Sequence, residues 1–160
     1  MTISPTRWLW TLSVITLLVG GILFGYGTYK SNKDIANAEK LFVGMSEAER
    51  DELVKADTGM TWAQAVAFDH HQVRVPFLLH LGLAAWFAAM GALARKQAPL
   101  ATILALAGFV GVAGWRYWVD TRNQMQFLVF DVFLLIVLVR AVVAAISAGS
   151  PAPARDRAPA

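Results

Sequence analysis

The stretch from Trp8 to Tyr29, WLWTLSVITLLVGGILFGYGTY, decides the fold class, because its 22 residues include no charged side chain. A helix of about 20 apolar residues crosses the roughly 30 Å hydrocarbon core of a bilayer. This run is also longer than the roughly 7–15 apolar residues of a secretory signal peptide. The sequence therefore predicts an uncleaved transmembrane helix at this position.

Three further apolar runs of similar length extend over about residues 75–94, 99–119 and 124–146. A lipid-facing strand alternates polar and apolar residues, whereas these runs are apolar throughout. An isolated span must also satisfy its own backbone hydrogen bonds, which a helix does. The sequence predicts an all-α membrane protein, a four-transmembrane-helix bundle.

The composition agrees with this class and excludes several functions. The 160-residue chain is 57% hydrophobic and 16% charged, whereas a soluble domain is about 45–50% apolar and about 25% charged. The absence of cysteine excludes thiol, disulfide and iron–sulfur chemistry. The net charge of +3 is too small to indicate a nucleic-acid partner.

The distribution of basic residues predicts the orientation in the membrane. Basic residues outnumber acidic ones at the amino end, in the second connection and in the tail, through Arg7, Arg95, Lys96, Arg155 and Arg157. Basic connections stay on the cytoplasmic side. Residues 30–73 contain eight acidic and five basic residues, and we expect them on the opposite face. We expect a multi-pass protein of the bacterial inner membrane with both termini in the cytoplasm.

Four segments follow from these patterns. Residues 1–29 hold the amino-terminal segment and the first span, and residues 30–73 form an extracytoplasmic connection. Residues 74–146 hold spans two to four. The tail, residues 147–160, is rich in Ala and Pro, and we expect it to be disordered and cytoplasmic.

The long connection shows helix-capping patterns, in which a hydroxyl residue is followed three positions later by a carboxylate or an amide. The pairs are Ser31 with Asp34, Ser46 with Glu49, and Thr61 with Gln64. They predict helices near residues 32–43 and 47–56, and a third that starts at Trp62. Asp57, Thr58 and Gly59 predict the end of the second helix.

The third of these helices is expected to run into the second span, with a kink at Pro76. The apolar residues of the connection have three potential targets: the top of the bundle, the membrane surface or a partner. They are Leu41, Phe42, Val43, Leu53 and Val54.

Small residues predict close helix packing in the spans. Gly21 and Gly25 form one small-xxx-small pair in the first span, and Ala107 and Gly111 form another in the third. Gly108 and Gly114 extend the second face. Such faces let helices approach closely in lipid. They serve either packing within the bundle or contact with another subunit, including self-association.

One polar cluster is expected at the outer membrane edge. Its eight members are Asp69, His70, His71, Arg74, His80, Arg116, Asp120 and Asp131. His80 and Asp131 are expected at equal depth, roughly 8–11 Å below that edge at 1.5 Å per residue. Ionisable groups at such depth turn toward the bundle or a cavity. We therefore expect them to face each other, with Arg116 as an alternative partner for Asp131.

The chemistry of this cluster stays open. His70, His71, His80 and Asp131 are candidate ligands for copper, iron or zinc. A haem held by two histidines of one copy is disfavoured, because His71 and His80 point about 180° apart on a regular helix. A quinone site, a proton relay and a structural salt-bridge network use the same side chains.

Three hypotheses for the function remain, and whether the protein is an enzyme stays open. The first is a small accessory subunit or assembly partner of a larger membrane complex, with an energy-transducing complex as one option, because the chain carries no Walker loop, G-x-S-x-G or H-E-x-x-H motif. The second is a membrane-embedded redox protein that depends on a metal ion or a quinone. The third is a small proton-coupled transporter that uses His80 and Asp131.

Overall fold

A computed structural model describes residues 4–119 and 124–149 and shows them folded into five helices. The helices are α1 (Pro5–Leu41), α2 (Glu47–Thr58), α3 (Trp62–Leu93), α4 (Ala98–Val119) and α5 (Gln124–Gly149). All except α2 contain a stretch long and apolar enough to cross a membrane. The predicted all-α class with four membrane-length helices is confirmed. Helix α5 includes the first residues of the predicted tail, and residues 150–160 lie outside the described part of the chain.

Local capping sets the ends of α2 as predicted. The Ser46 hydroxyl accepts a hydrogen bond from the Glu49 backbone N–H at 3.3 Å, and the Glu49 carboxylate accepts one from the Ser46 N–H at 2.8 Å. Gly59 then adopts a left-handed φ of 75°, which favours glycine, and its N–H donates to the Lys55 carbonyl. The capping box and the glycine stop are both confirmed.

Helix α3 starts on a second reciprocal cap. The Thr61 N–H donates to the Gln64 side-chain oxygen at 3.0 Å, and the Gln64 N–H donates to the Thr61 hydroxyl at 3.3 Å. The helix then continues past Pro76 to Leu93. The prediction that the connection runs into the second span is confirmed.

The prediction of a separate helix at residues 32–43 was wrong. Helix α1 runs without a break from Pro5 to Leu41, which is 37 residues or about 55 Å. Ser31 does not cap a new helix, because its hydroxyl donates to the carboxylate of Asp69, 38 residues further along the chain.

The chain forms two compact units. The core unit consists of the start of α1, up to Ile15, and the described residues from Leu83 onward. Its interior is a continuous apolar cluster, formed by Leu9, Leu12, Leu83, Phe87, Met90, Ala94, Ala101, Ala105, Phe109, Leu134 and Leu138. Two side chains also bond to backbone carbonyls of another helix: Ser13 to Ala84 at 2.8 Å and Trp86 to Leu104 at 3.2 Å.

The hairpin unit is Thr16–Gly82, and in it α1 lies antiparallel to α3. The rings of Phe24 and Phe77 lie 4.6 Å apart between centroids. Glycines on α1 face larger side chains of α3 on either side of this ring pair. Within the hairpin unit, α1 contacts α3 at positions 20, 24, 27 and 31, so the contact recurs every three or four residues. This spacing gives a single narrow seam along the helix pair.

Helix α2 packs against the start of α3. The Asp51 carboxylate accepts a hydrogen bond from the Trp62 N–H at 3.0 Å, and the rings of Phe42 and Trp62 meet edge to face with centroids 5.2 Å apart. Val54 is buried, whereas Leu53 is exposed. The apolar residues of the connection are therefore only partly used in local packing.

Candidate functional site

Buried polar side chains mark the candidate positions, because ionisable and polar groups inside a span are costly and are retained for a reason. Five are buried in the described residues: Thr16, Ser31, His80, Thr102 and Asp131. Thr102 is accounted for by its own helix, since its hydroxyl donates to the carbonyls of Ala98 and Pro99 at 3.0 Å.

The core unit contains a buried ion pair between α4 and α5. The guanidinium of Arg116 contacts the carboxylate of Asp131, and the two side chains are only 14% and 10% exposed. The same guanidinium lies 5.4 Å from the ring centroid of Tyr117. Breaking such a pair would leave one charge buried without compensation, so it links α4 to α5. Arg116 is the alternative partner that the sequence predicted for Asp131.

His80 is the buried ionisable residue of the hairpin unit. Its Nδ1 lies 2.7 Å from the Pro76 carbonyl, and because a carbonyl only accepts, Nδ1 carries the hydrogen. Its Cβ lies against Gly20 on α1. His80 and Asp131 belong to different units, so the idea that they face each other stays a prediction.

The other predicted members of the cluster occupy different environments. Asp69 is half-buried and accepts the hydrogen bond from Ser31. His70 is half-buried, whereas His71 and Arg74 are exposed. Asp120 lies outside the described residues. Two polar pairs are thus formed, one in each unit, and a single cluster of eight side chains stays a prediction.

The described residues do not supply a set of ligands for the predicted metal site. Among residues 4–119 and 124–149, no three His, Asp or Glu side chains converge as a metal site requires. The candidate ligands His70, His71, His80 and Asp131 therefore rest on the sequence pattern alone. The quinone prediction is likewise untested.

Sequence reasoning missed the small and polar residues that form the α1 seam. Thr16 is fully buried, and its hydroxyl has no hydrogen-bond partner among the described residues. Gly20 and Gly27 face His80 and Val73, and Ser31 bonds to Asp69. The signal for the seam was present as small or hydroxyl residues at positions 20, 27 and 31, separated by seven and four residues.

The glycine faces predicted from the sequence are covered only in part by the described residues. A Cβ added at Gly21 or Gly25 would meet no described atom within 4 Å, and the same holds for Gly111 and Gly114. In the core unit Gly91 lies against the Trp10 indole, and Gly108, a member of the predicted second face, lies against the Trp86 indole. Packing among the described residues therefore accounts for Gly108 but not for the pair Gly21 and Gly25.

No protein-family model, curated protein or solved structure matches this chain. The function is therefore argued from the buried groups and the uncovered surfaces of the chain itself.

Proposed function

We propose that this chain is a small integral-membrane accessory subunit or assembly partner of a larger membrane complex. The uncovered glycine face of α1 carries the proposal. Gly21 and Gly25 lie about one turn apart, and nothing among the described residues fills the space beside them. Helices associate in lipid through close packing at small residues, so this face fits a helix of another subunit.

The use of the buried polar groups also supports a scaffold role. Arg116 pairs with Asp131, and Ser31 bonds to Asp69. Each contact joins two helices of the same unit, as a structural network does. The predicted orientation, with residues 30–73 outside and both termini in the cytoplasm, belongs to this proposal and rests on the positions of the basic residues.

Purification from native membranes in a mild detergent tests the proposal. We expect the chain to co-purify with at least one other membrane protein in fixed stoichiometry. The double substitution Gly21→Leu with Gly25→Leu should lower the yield of that partner several-fold, because the new side chains hold the neighbouring helix away. Gly82→Leu is a matched control, since a side chain added there also meets open space.

A chain that purifies alone from native membranes would refute the subunit proposal. The same sample tests the redox alternative by metal analysis and an absorption spectrum. Stoichiometric metal, haem or quinone in a preparation without partners would favour that alternative. The proton-coupled transporter alternative is tested in vesicles that contain the purified chain. Proton-driven solute uptake that is present in the unaltered chain and lost in His80→Ala would favour it.

A further inference from the structure

Outside the membrane-length stretches, the most prominent exposed surface is a set of apolar side chains. We define the hairpin tip as residues 41–62, which join α1 to α3 through α2. Within it Leu41 is 75% exposed and Val43 is 82% exposed, while Leu53 and Met45 are 53% and 44% exposed. Their neighbours Phe42 and Val54 are covered by local packing. The tip therefore presents large apolar side chains in a segment that is otherwise polar.

The length of α1 places this tip beyond the bilayer. The uncharged stretch of α1 ends at Tyr29, and the helix continues for 12 residues to Leu41. At 1.5 Å per residue this is about 18 Å of helix. The start of α3 accompanies α1 over this distance, as the bond between Ser31 and Asp69 shows. The exposed side chains of the tip are therefore held away from the bilayer that α1 enters.

The net charge of the hairpin tip narrows the choice of surface onto which it can dock. Helix α2 carries five acidic and two basic residues, which gives a net charge of −3 (5 − 2): Glu47, Glu49, Asp51, Glu52 and Asp57 against Arg50 and Lys55. An anionic lipid surface and the same tip of a second copy would both be repelled by this charge. A surface with basic groups around an apolar patch would be attracted.

We infer that the hairpin tip docks onto a protein partner, outside the membrane, at an apolar patch with a basic rim. Leu41 and Val43 enter the patch, and the acidic side chains of α2 meet the rim. Desolvated apolar side chains at the centre with charges at the edge are the usual anatomy of a protein interface. This inference rests on the proposed function, because it names the part of the subunit that contacts the complex.

Single-cysteine accessibility tests the inference, since the chain has no cysteine of its own. Val43→Cys is compared in open native membrane fragments and in the purified chain, one copy per nanodisc, in neutral and in anionic lipid. The readout is the rate of modification by a polyethylene-glycol maleimide, followed as a gel shift of this chain. We expect Val43→Cys to react several-fold more slowly in native membranes than in either nanodisc. Ala36→Cys, exposed on α1 below the tip, should react equally in all three.

Each other outcome overturns the inference. Equal rates in native membranes and nanodiscs mean that nothing covers the tip. Slow reaction in anionic nanodiscs assigns it to lipid, and slow reaction only with two copies per disc assigns it to self-association. A charge test completes the set: Glu52→Gln with Asp57→Asn, both exposed, should raise the native-membrane rate of Val43→Cys several-fold. An unchanged modification rate would contradict the inference that the partner's patch has a basic rim.

Co-purification separates this inference from the proposed function. If a stoichiometric partner is retained equally by the unaltered chain and by Val43→Asp, the chain is still a subunit but the tip is not the contact. If the unaltered chain has no partner, the proposed function fails first. Circular dichroism of Val43→Asp should match that of the unaltered chain, because position 43 is exposed.

Discussion

The core unit and the hairpin unit differ in how much of their helix packing comes from buried apolar side chains. The core unit buries large side chains, of which Phe87 and Leu134 are fully inaccessible, and adds the ion pair of Arg116 with Asp131. Glycines meet larger side chains in both units, but among the described residues of the hairpin unit only Val54 is a buried apolar side chain. The difference teaches that the core unit depends mainly on its buried apolar side chains, whereas the hairpin unit depends more on close approach at its glycines.

The largest effect should come from removing one charge of the core unit. Asp131→Leu leaves the Arg116 guanidinium in a buried position without its partner, and breaking a buried pair in this way costs about 3–5 kcal/mol. The free energy of unfolding in detergent should fall by that order. Arg140→Ala on the same helix is the control, because Arg140 is exposed, and it should change stability little.

The double substitution Arg116→Leu with Asp131→Leu sharpens this test. Replacing both charges by apolar side chains should recover much of the lost stability, since no uncompensated charge is left. Equal stability of Asp131→Leu and Arg140→Ala would contradict the view that the core unit depends on this pair.

An intermediate effect is expected from adding a single methyl group to the hairpin seam. A Cβ at position 20 would lie 2.6 Å from the His80 Cβ, whereas one at position 21 would meet open space. Overpacking of this kind costs about 1–3 kcal/mol. Gly20→Ala should therefore lower the thermal midpoint of the purified chain, and Gly21→Ala should leave it unchanged or slightly raised.

The two neighbouring glycines form a matched pair that differs in little besides helix phase. Identical midpoints for Gly20→Ala and Gly21→Ala would remove the argument that the hairpin unit depends on close approach. Partial recovery of the midpoint in Gly20→Ala with His80→Gly would confirm that the His80 Cβ is what the methyl group meets.

The smallest effect concerns α2 and its dependence on pH. The backbone N–H of Ser46, and then its hydroxyl, hold the pKa of Glu49 below its ordinary value. A carboxylate with a lowered pKa stabilises the fold at pH values above its unfolded pKa, and this contribution is lost as pH falls through the folded pKa. Carbon chemical shifts of α2 should therefore become less helical under acid. In Glu49→Gln, which has no carboxyl group at this position, they should change less on acidification, and an identical acid response would contradict the assignment.

Helix boundaries were predictable where the determining contacts are local. Ser46 with Glu49 and Thr61 with Gln64 cap as the pattern indicated, because both partners lie within one turn. The same pattern at Ser31 failed, since its hydroxyl finds Asp69 across the hairpin. A capping pattern does not reveal a competing partner that is distant in the chain.

The face of α1 that contacts its neighbour was the second feature that the sequence did not predict. The sequence indicated that α1 packs through glycines, but it selected Gly21 and Gly25, whereas the contacts are made by Gly20 and Gly27. The direction in which a nearly uniformly apolar helix faces its neighbour depends on the partner's shape. The choice between Arg116 and His80 as partner for Asp131 was open for the same reason: Arg116 forms an ion pair with Asp131, and the facing of His80 and Asp131 stays a prediction.

The bond from His80 to Pro76 has a consequence for protonation. Because Nδ1 donates its hydrogen to the Pro76 carbonyl, the neutral ring is held as the tautomer with hydrogen on Nδ1 and the lone pair on Nε2. Any proton that this imidazole gains must enter at Nε2, and any proton it releases while Nδ1 stays bonded must leave from the same atom. His80 therefore cannot pass a proton from ring nitrogen to ring nitrogen unless Nδ1 first gives up its bond to the Pro76 carbonyl.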